Sequence, residues 1–322
     1  MFLGIDHGTT AIRFSTPEGR GFEIPRREAA KISSEGIVRL VEKNLGSEIS
    51  LAALSYSMGD GLARVTRIED APNRGLRQQD GAGLHVGGGT RVFDAVISSG
   101  WPAVLLPGIH RGSDVDSRLK VFSHGMSPEK VGLAYSVLKK GRESFIVCDA
   151  SSNTVTFAVH RGRIVGALDA SIFAPGLHQG PLDVDAIRAI DAGKMTANEA
   201  FNFGGILPKL GYASLAECPE DLRSFALESL GLFAAMEISA MKIIMRDVGE
   251  PSPAILVAGD PSEKIRSRVS ALLEGDVLAL GKLDAAVGCA MVAEDVFYGA
   301  GSILGIEVDE RVRTATRKAG SC

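Results

Sequence analysis

Residues 2–22 read FLGIDHGTTAIRFSTPEGRGF and residues 145–165 read FIVCDASSNTVTFAVHRGRIV, and the second lies over the first without a gap at a constant offset of 143. Phe2 meets Phe145, Asp6 meets Asp149, Phe14 meets Phe157, Gly19 meets Gly162 and Arg20 meets Arg163, while Leu3/Ile146 and Ile12/Val155 keep the apolar pattern. Each stretch reads as an apolar strand ending at an aspartate, a polar tight turn, an alternating second strand, a glycine-containing turn and a third strand. A β-meander therefore opens each half of the chain.

Outward from these stretches the order continues in parallel. A helix and a strand follow each meander, and each strand runs into Gly-Asp: residues 51–57 lead to Gly59-Asp60, and residues 254–257 to Gly259-Asp260. Pro261 behind Asp260 has the form of an N1 proline behind an aspartate N-cap, with a helix expected through about Leu273. A strand at 277–280 leads to Asp284 and a small-residue helix at 285–297. A long helix is expected over 221–248, with Leu222, Phe225, Leu230, Phe233, Ile238 and Met241 as its core face. The expected boundaries are a first half at 1–141 with a glycine-rich insertion at 61–100 and a second half at 142–300 with an insertion at 171–219. The helix at 284–300 is free to pack back on the first half, and 301–322 reads as a polar tail that frays or packs on the surface. In the second insertion, Thr196 and Glu199 have capping-box spacing.

Composition narrows the class. The chain has 322 residues, 45% of them apolar and 23% charged, which suits about two globular domains and excludes disorder, collagen and coiled coil, while the order of meander, helix and strand reads as α/β. Its 38 glycines are an excess with no G-X-Y period. A net charge of −4 without a basic run leaves no footprint for nucleic acid or an anionic membrane. Cys148, Cys218, Cys289 and Cys322 form no CxxC pair, which fits a reducing compartment rather than a zinc ribbon or disulfide framework. The sequence opens MFLGID with no basic n-region, and the most apolar long stretch, 230–245, is broken by Glu237 and Lys242, so neither a signal peptide nor a membrane span is expected, and a cytoplasmic location is.

Two such halves, each with an aspartate at its first hairpin, resemble the acetate kinase, sugar kinase, heat-shock chaperone and actin superfamily. The nearest branch is that of butyrate and acetate kinases. GIDHGTTAIRF at 4–14 resembles its first phosphate loop, GGGTRVFD at 87–94 a substrate-domain segment, and FSHGMSPEKVGLAY at 122–135 a histidine-bearing helix entry. FIVCDASSNTVTFAVHRGRIVGALDA at 145–170 falls where the second phosphate loop belongs, and ILVAGD at 255–260 where the adenosine loop belongs. With PGIH at 107–110 and GPLDVDAIRAID at 180–191, the sequence also looks like an archaeal family called methanogenesis marker protein 12. The resemblance implies duplicated ribonuclease H-like (actin-like ATPase) domains with an ATP cleft between them, and ATP with Mg²⁺ as cofactors. A homodimer is common among such kinases.

On that template Asp6, Gly8, Thr9, Thr10 and Arg13 are the first phosphate-binding set, and Asp6 holds Mg²⁺ through water. The alternative is a plain hairpin with Asx-turn chemistry. Asp149, Ser151, Ser152 and Asn153 form the second set, with Asp149 a second metal candidate and Gly259 and Asp260 at the adenosine loop. The second turn lacks the glycines such loops use, and a side chain at Ser151 penalises φ > 0. The acetate kinase-like strand-end aspartate is replaced by Leu106-Pro107, with Asp114 or Asp116 further along as substitutes, and a TRSG-like arginine gives way to His178-Gln179-Gly180. His124 is the leading catalytic or anion-binding candidate, with Ser127-Pro128 as the N-cap and N1 of its helix. His85, Gly88, Gly89, Thr90, Asp183 and Arg188 are substrate candidates, although Asp183 and Asp185 would also complement a helix dipole. His85, His110 and His124 match no local metal spacing. Gly81, Gly83, Gly87, Gly88 and Gly89 read either as a flap or anion nest or as a loop of tight turns. Two functions follow from the resemblance: a nucleotide-dependent regulator or assembly factor acting on a protein partner, with weak or no kinase activity, or a Mg²⁺-dependent kinase of a small carboxylate.

Overall fold

The apolar alternation at the chain start becomes β1 (Phe2–His7), which pairs antiparallel with β2 (Ala11–Ser15), and β2 in turn pairs with β3 (Gly21–Pro25). In the computed structural model, which describes residues 1–55, 61–71 and 87–319, the chain falls into two units: Met1–Arg142 with Leu283–Cys322, and Glu143–Lys282.

In the first unit a short helix α1 (Arg26–Ala29) follows β3. Next comes α2 (Ser34–Asn44), whose N-cap Ser33 accepts from the Gly36 amide at 3.1 Å. Then come β4 (Leu51–Leu54), β5 (Thr66–Arg67), α3 (Gly88–Ser99), β6 (Ala103–Leu105), β7 (Ile109–His110), β8 (His124–Met126) and α4 (Glu129–Lys139). The main sheet has the order β3-β2-β1-β4-β6-β5, and β7 and β8 form a separate pair. Leu3, Ile5, Ile12, Phe14 and Leu54 are fully buried in its core. As a central strand, β1 has no polar side chain from Phe2 to Ile5 because both faces are covered, and its polar residues, Asp6 and His7, stand at its end.

The second unit runs β9 (Phe145–Ala150), β10 (Thr154–His160), β11 (Arg163–Leu168), α5 (Val184–Asp191), α6 (Ala197–Asn202), α7 (Ile206–Leu210), α8 (Glu220–Asp247), β12 (Ala254–Ala258), α9 (Ser262–Leu273) and β13 (Val277–Ala279). Its sheet order is β11-β10-β9-β12-β13, and β12 runs parallel to both β9 and β13. That order matches β3-β2-β1-β4-β6 in the first unit. Thr196 and Glu199 close a capping box at α6. On α8, Leu230, Ile238 and Met241 are buried as read from the sequence, but Phe225 is 55% exposed and does not belong to the core face. Helix α8 also buries Glu237, whose Oε2 accepts from Thr156 Oγ1 at 2.6 Å; desolvation lifts that carboxyl to about 8.

The chain then returns to the first unit as α10 (Asp284–Phe297), β14 (Ser302–Ile303), β15 (Ile306–Glu307) and α11 (Glu310–Ala319). Helix α10 crosses β1 so closely that a Cβ on Gly4 would stand 1.9 Å from the Ala286 carbonyl. It meets α4 through Gly132 and Gly288, and the ion pairs Lys139–Asp295 at 2.9 Å and Lys140–Asp284 at 2.8 Å flank the crossing. The C-terminal stretch is not a fraying tail: Ile303, Leu304, Ile306, Val308 and Val312 are buried. The backbone of Val65 bonds to that of Glu307 and Asp309 at 2.9 Å each. The segment docks because its apolar residues cover an edge that the sheet would otherwise leave open. Asp260 does not cap α9; the helix has no side-chain cap, and Asp260 Oδ1 lies 3.6 Å from Lys282 Nζ.

Candidate functional site

Antiparallel pairing of β1 and β2 sets Asp6 directly opposite Arg13, so the two side chains share a face of the sheet. Asp6 Oδ2 lies 3.3 Å from Arg13 Nη1, and Arg13 Nε bonds Glu23 Oε2 at 3.2 Å. Gly8 lets this pair close, because a Cβ there would meet Arg13 Nη1 at 2.6 Å and the Ala11 carbonyl at 2.9 Å. Asp6 is buried and its Oδ1 has no hydrogen-bond partner. Desolvation, reinforced by the Glu129 charge and only partly offset by Arg13 and Lys130, lifts its carboxyl to about 7.

Four residues that the sequence reading did not single out complete this surrounding. Arg26 Nη1 donates to the Gly8 carbonyl at 2.9 Å and to that of His7 at 3.3 Å, and the Arg26 amide bonds the Thr10 carbonyl at 2.9 Å. One arginine thus gathers the carbonyls of the turn on its far side. Among the described residues the amides of Gly8, Thr9 and Thr10 donate no hydrogen bond, and Thr9 and Thr10 are exposed. His7 is buried beside Arg26 and the Gly89 backbone; burial and the Arg26 charge push it down to about 3, so the ring is neutral at physiological pH. At the start of α4, the Ser127 hydroxyl bonds Glu129, and Lys130, itself buried, places Nζ 3.2 Å from Glu129 Oε1. Only the spacing of Asp6 and Arg13 was a usable sequence signal. Arg26, Glu129 and Lys130 arrive from elements whose position depends on how α1 and α4 pack.

Gly88 and Gly89 open α3, not a flap. A Cβ on Gly88 would lie 2.4 Å from the Arg26 carbonyl, and the Gly87 cap contributes no side-chain bond. The structure thus brings Gly88 and Gly89, with Thr90 next in the helix, to the first turn. His85, Gly81, Gly83, Gly59 and Asp60 lie outside the described residues. His124 sits on β8 opposite His110, ahead of α4, in which Pro128 already has helical φ and ψ of −57° and −30°. His110 is committed to structure: its Nε2 lies 2.9 Å from the Leu62 carbonyl, and its Nδ1 accepts from the Gly112 amide at 3.0 Å. Asp114 is exposed on the turn after β7, and Asp116 is held by Arg118 at 2.6 Å.

In the second unit, Asp149 ends β9 beside Gly259. With φ +99°, Gly259 is in the left-handed region, and a Cβ on it would stand 3.0 Å from Asp149 Oδ1 and 2.9 Å from Ser151 Cβ. The second turn is tied up by its own insertion. The Ser151 amide bonds the Asn153 carbonyl at 2.8 Å, the Ser151 carbonyl accepts from Leu177, and the Ser152 carbonyl accepts from His178 and Gln179. Gly176 packs so tightly that a Cβ would lie 2.4 Å from Asn153 Cα. Asp183 serves as the N-cap of α5, accepting from the Ala186 amide at 3.0 Å, and its other oxygen bonds Lys209 at 2.6 Å, which holds its carboxyl below the usual range. Arg188 is exposed 3.7 Å from Asp185.

Among the described residues no three His, Cys, Asp or Glu side chains converge as a metal site, and no helix is long and apolar enough to cross a membrane.

The chain aligns along 96% of its length with a UPF0285 protein of Methanosarcina mazei, at 47% identity over 321 residues covering 99% of that protein. The chain belongs to the UPF0285 family. Other members are the UPF0285 proteins of Methanococcus maripaludis, 36% identical with 96% of this chain and 99% of that protein covered, and of Methanocaldococcus jannaschii, 38% identical with 95% and 98% covered. No family profile matches the chain. Among solved structures, a propionate kinase from Francisella tularensis superposes with a TM-score of 0.62 at 12% identity, covering 91% of this chain and 98% of that one. The acetate kinase from Entamoeba histolytica gives a TM-score of 0.52 at 10% identity over 84% and 86% of the two chains. At such identities the likeness shows the fold alone: this chain has a mixed α/β fold whose neighbours, the acetate and propionate kinases, are of the actin-like ATPase fold.

Proposed function

We propose that this chain is a cytoplasmic nucleotide-binding protein whose two units are copies of one ribonuclease H-like fold. In this reading it acts as a nucleotide-dependent regulator or assembly factor rather than as an efficient small-molecule kinase. The observation that carries the reading is the first turn: among the described residues, a buried aspartate with an unpartnered oxygen stands beside three amides that donate no hydrogen bond and two exposed threonines. Such a turn accepts phosphate oxygens through its amides, and a carboxyl lifted to about 7 is one that a divalent cation would return to the charged form. Asp6 would hold Mg²⁺ through water, Gly8, Thr9 and Thr10 would meet the phosphates, and Arg13 would balance the added charge. Bound Mg²⁺-ATP would supply a polarised terminal phosphate. The chain's own groups would orient it.

What favours regulation over efficient transfer is the second turn. Its Ser151 amide and the carbonyls of Ser151 and Ser152 are already spent on internal bonds, and its glycine-free sequence keeps the backbone further from an anion. The partner of such a regulator is a protein; a small carboxylate is the substrate under the kinase alternative.

Calorimetry with Mg²⁺-ATP tests the reading. Binding is expected for the wild type and at least tenfold weaker binding for Asp6→Asn, about 1.4 kcal/mol. No heat with any nucleotide would sink the proposal. Hydroxamate formation at a substantial rate in a carboxylate screen would hand the case to the kinase alternative.

A further inference from the structure

The long helix α8 turns one face to the sheet and leaves a second apolar stripe uncovered. Ala226, Leu230, Ala234, Ile238, Met241 and Met245 are buried, whereas Phe225, Leu232, Met236 and Ile243 are 55%, 41%, 44% and 67% exposed. At 3.6 residues per turn these four fall on one line along the helix. A run of large exposed side chains on one face is a contact surface rather than scattered surface apolarity.

The stripe is palindromic. Phe225 and Ile243 lie equally far on either side of Ala234, as do Leu232 and Met236, and as do the two serines of the stripe, Ser229 and Ser239. A helix with this pattern complements a second copy of itself run antiparallel. The two-fold axis then sits at Ala234, Phe225 faces Ile243 of the second copy, and Leu232 faces Met236 of the second copy. The flanking charges obey the same symmetry. Glu228 and Lys242 lie on one flank near mirror positions, as do Asp221 and Arg246, so the antiparallel register sets acid against base in both pairs. None of the four makes an ion pair within the chain among the described residues. A parallel arrangement would set each charge against its own copy. Beside Phe225 and Ser229, a cavity of about 240 Å³ closed by Phe233, Gly204, Gly205 and Lys209 opens where Ile243 of the second copy arrives, and Ile243 is the most exposed residue of the stripe.

We infer that this chain forms a two-fold homodimer by antiparallel packing of α8 on α8, with Ile243 of each copy entering the cavity beside Phe225 of the other. The surface is independent of the nucleotide reading above, and its test uses no nucleotide.

Sedimentation equilibrium of the full chain at micromolar concentration is expected to show a dimer, and Leu232→Asp to give a monomer with unchanged circular dichroism. Glu228→Lys alone and Lys242→Glu alone each place two like-charged pairs in the interface, and each is expected to dimerise roughly tenfold more weakly. Mixing the two variants restores both attractive pairs, so the mixed dimer is expected to regain wild-type affinity, while the weakening of each variant alone marks the antiparallel register, because a parallel pair would already set like charges together in the wild type. A monomeric wild type, a dimer indifferent to Leu232→Asp, or a mixture no tighter than its components would each overturn the inference.

Discussion

Asp6 faces Arg13 across β1 and β2, whereas Asp149 faces Val155 across β9 and β10, although the ungapped match of the two segments would set it opposite Thr156. The second hairpin is paired one residue tighter. The difference continues behind the turns. The carbonyls of the first are collected by the Arg26 side chain and its amides stay open. Those of the second are collected by the backbone of Leu177, His178 and Gln179, and one of its amides bonds its own loop. A side chain can let go of a carbonyl without disturbing its neighbours, but a backbone segment cannot. Two hairpins of matching sequence pattern thus part ways through what packs behind them: an arginine and a helix start in one, an inserted loop in the other.

Three changes would break or sharpen that contrast. The largest effect is expected where the supporting helices differ. Gly4 corresponds to Val147 at the offset of 143, and Gly4→Val writes the second unit's residue under α10. With a Cβ 1.9 Å from the Ala286 carbonyl, it should cost about 4 kcal/mol or more in thermal or urea unfolding. A loss below about 1 kcal/mol would mean that α10 gives way freely and does not fix the first turn.

The pH dependence of stability comes next. Asp6, at about 7 when folded against 3.8 ordinarily, holds its proton longer in the folded state, so its contribution falls as pH rises from about 4 to 7. His7, at about 3 against 6.5, has the opposite sign: the unfolded chain binds the extra proton, and stability rises over about pH 3 to 6.5. The two shifts are each on the order of 4 kcal/mol and nearly cancel in the wild type. Asp6→Asn should leave a chain that gains stability with pH through this window, and His7→Gln one that loses it. Urea midpoints from pH 4 to 8 measure both, and equal slopes in the two variants would refute the opposed pair.

The smallest of the three concerns the lock on the second turn. Gly176→Val, aimed at the Asn153 backbone, should cost about 2 kcal/mol and raise hydrogen exchange at the Leu177, His178 and Gln179 amides while the β1–β2 turn is unaffected. Unchanged exchange at those amides would show that the insertion does not hold the turn.

Much of the architecture was legible because it rests on local chemistry. The strand alternation, the aspartates ending β1 and β9, and the Thr196–Glu199 capping box are all set by residues close in the chain. The candidate site was legible along one hairpin, where Asp6, Gly8 and Arg13 lie within eight positions of one another, and at the glycines Gly88 and Gly89. Arg26, Glu129 and Lys130 carried no signal, because a lone cation or acid on a short helix reads as a solvated surface until packing buries it. The C-terminal stretch read as a polar tail because its few apolar residues find their partners only at Val65, far back in the chain.

The sequence by itself determined the two meanders, their matching strand order and the placement of an acid at the end of each first strand, since periodicity and turn residues act over a few positions. Tertiary structure alone decided that α10 covers β1, that the first turn keeps its amides open while the second ties its carbonyls and its Ser151 amide to the chain, and that Phe225 faces outward. Those outcomes depend on which backbone and side-chain groups meet across long separations, where a one-residue register or a single close glycine contact changes what a carboxylate has for a neighbour.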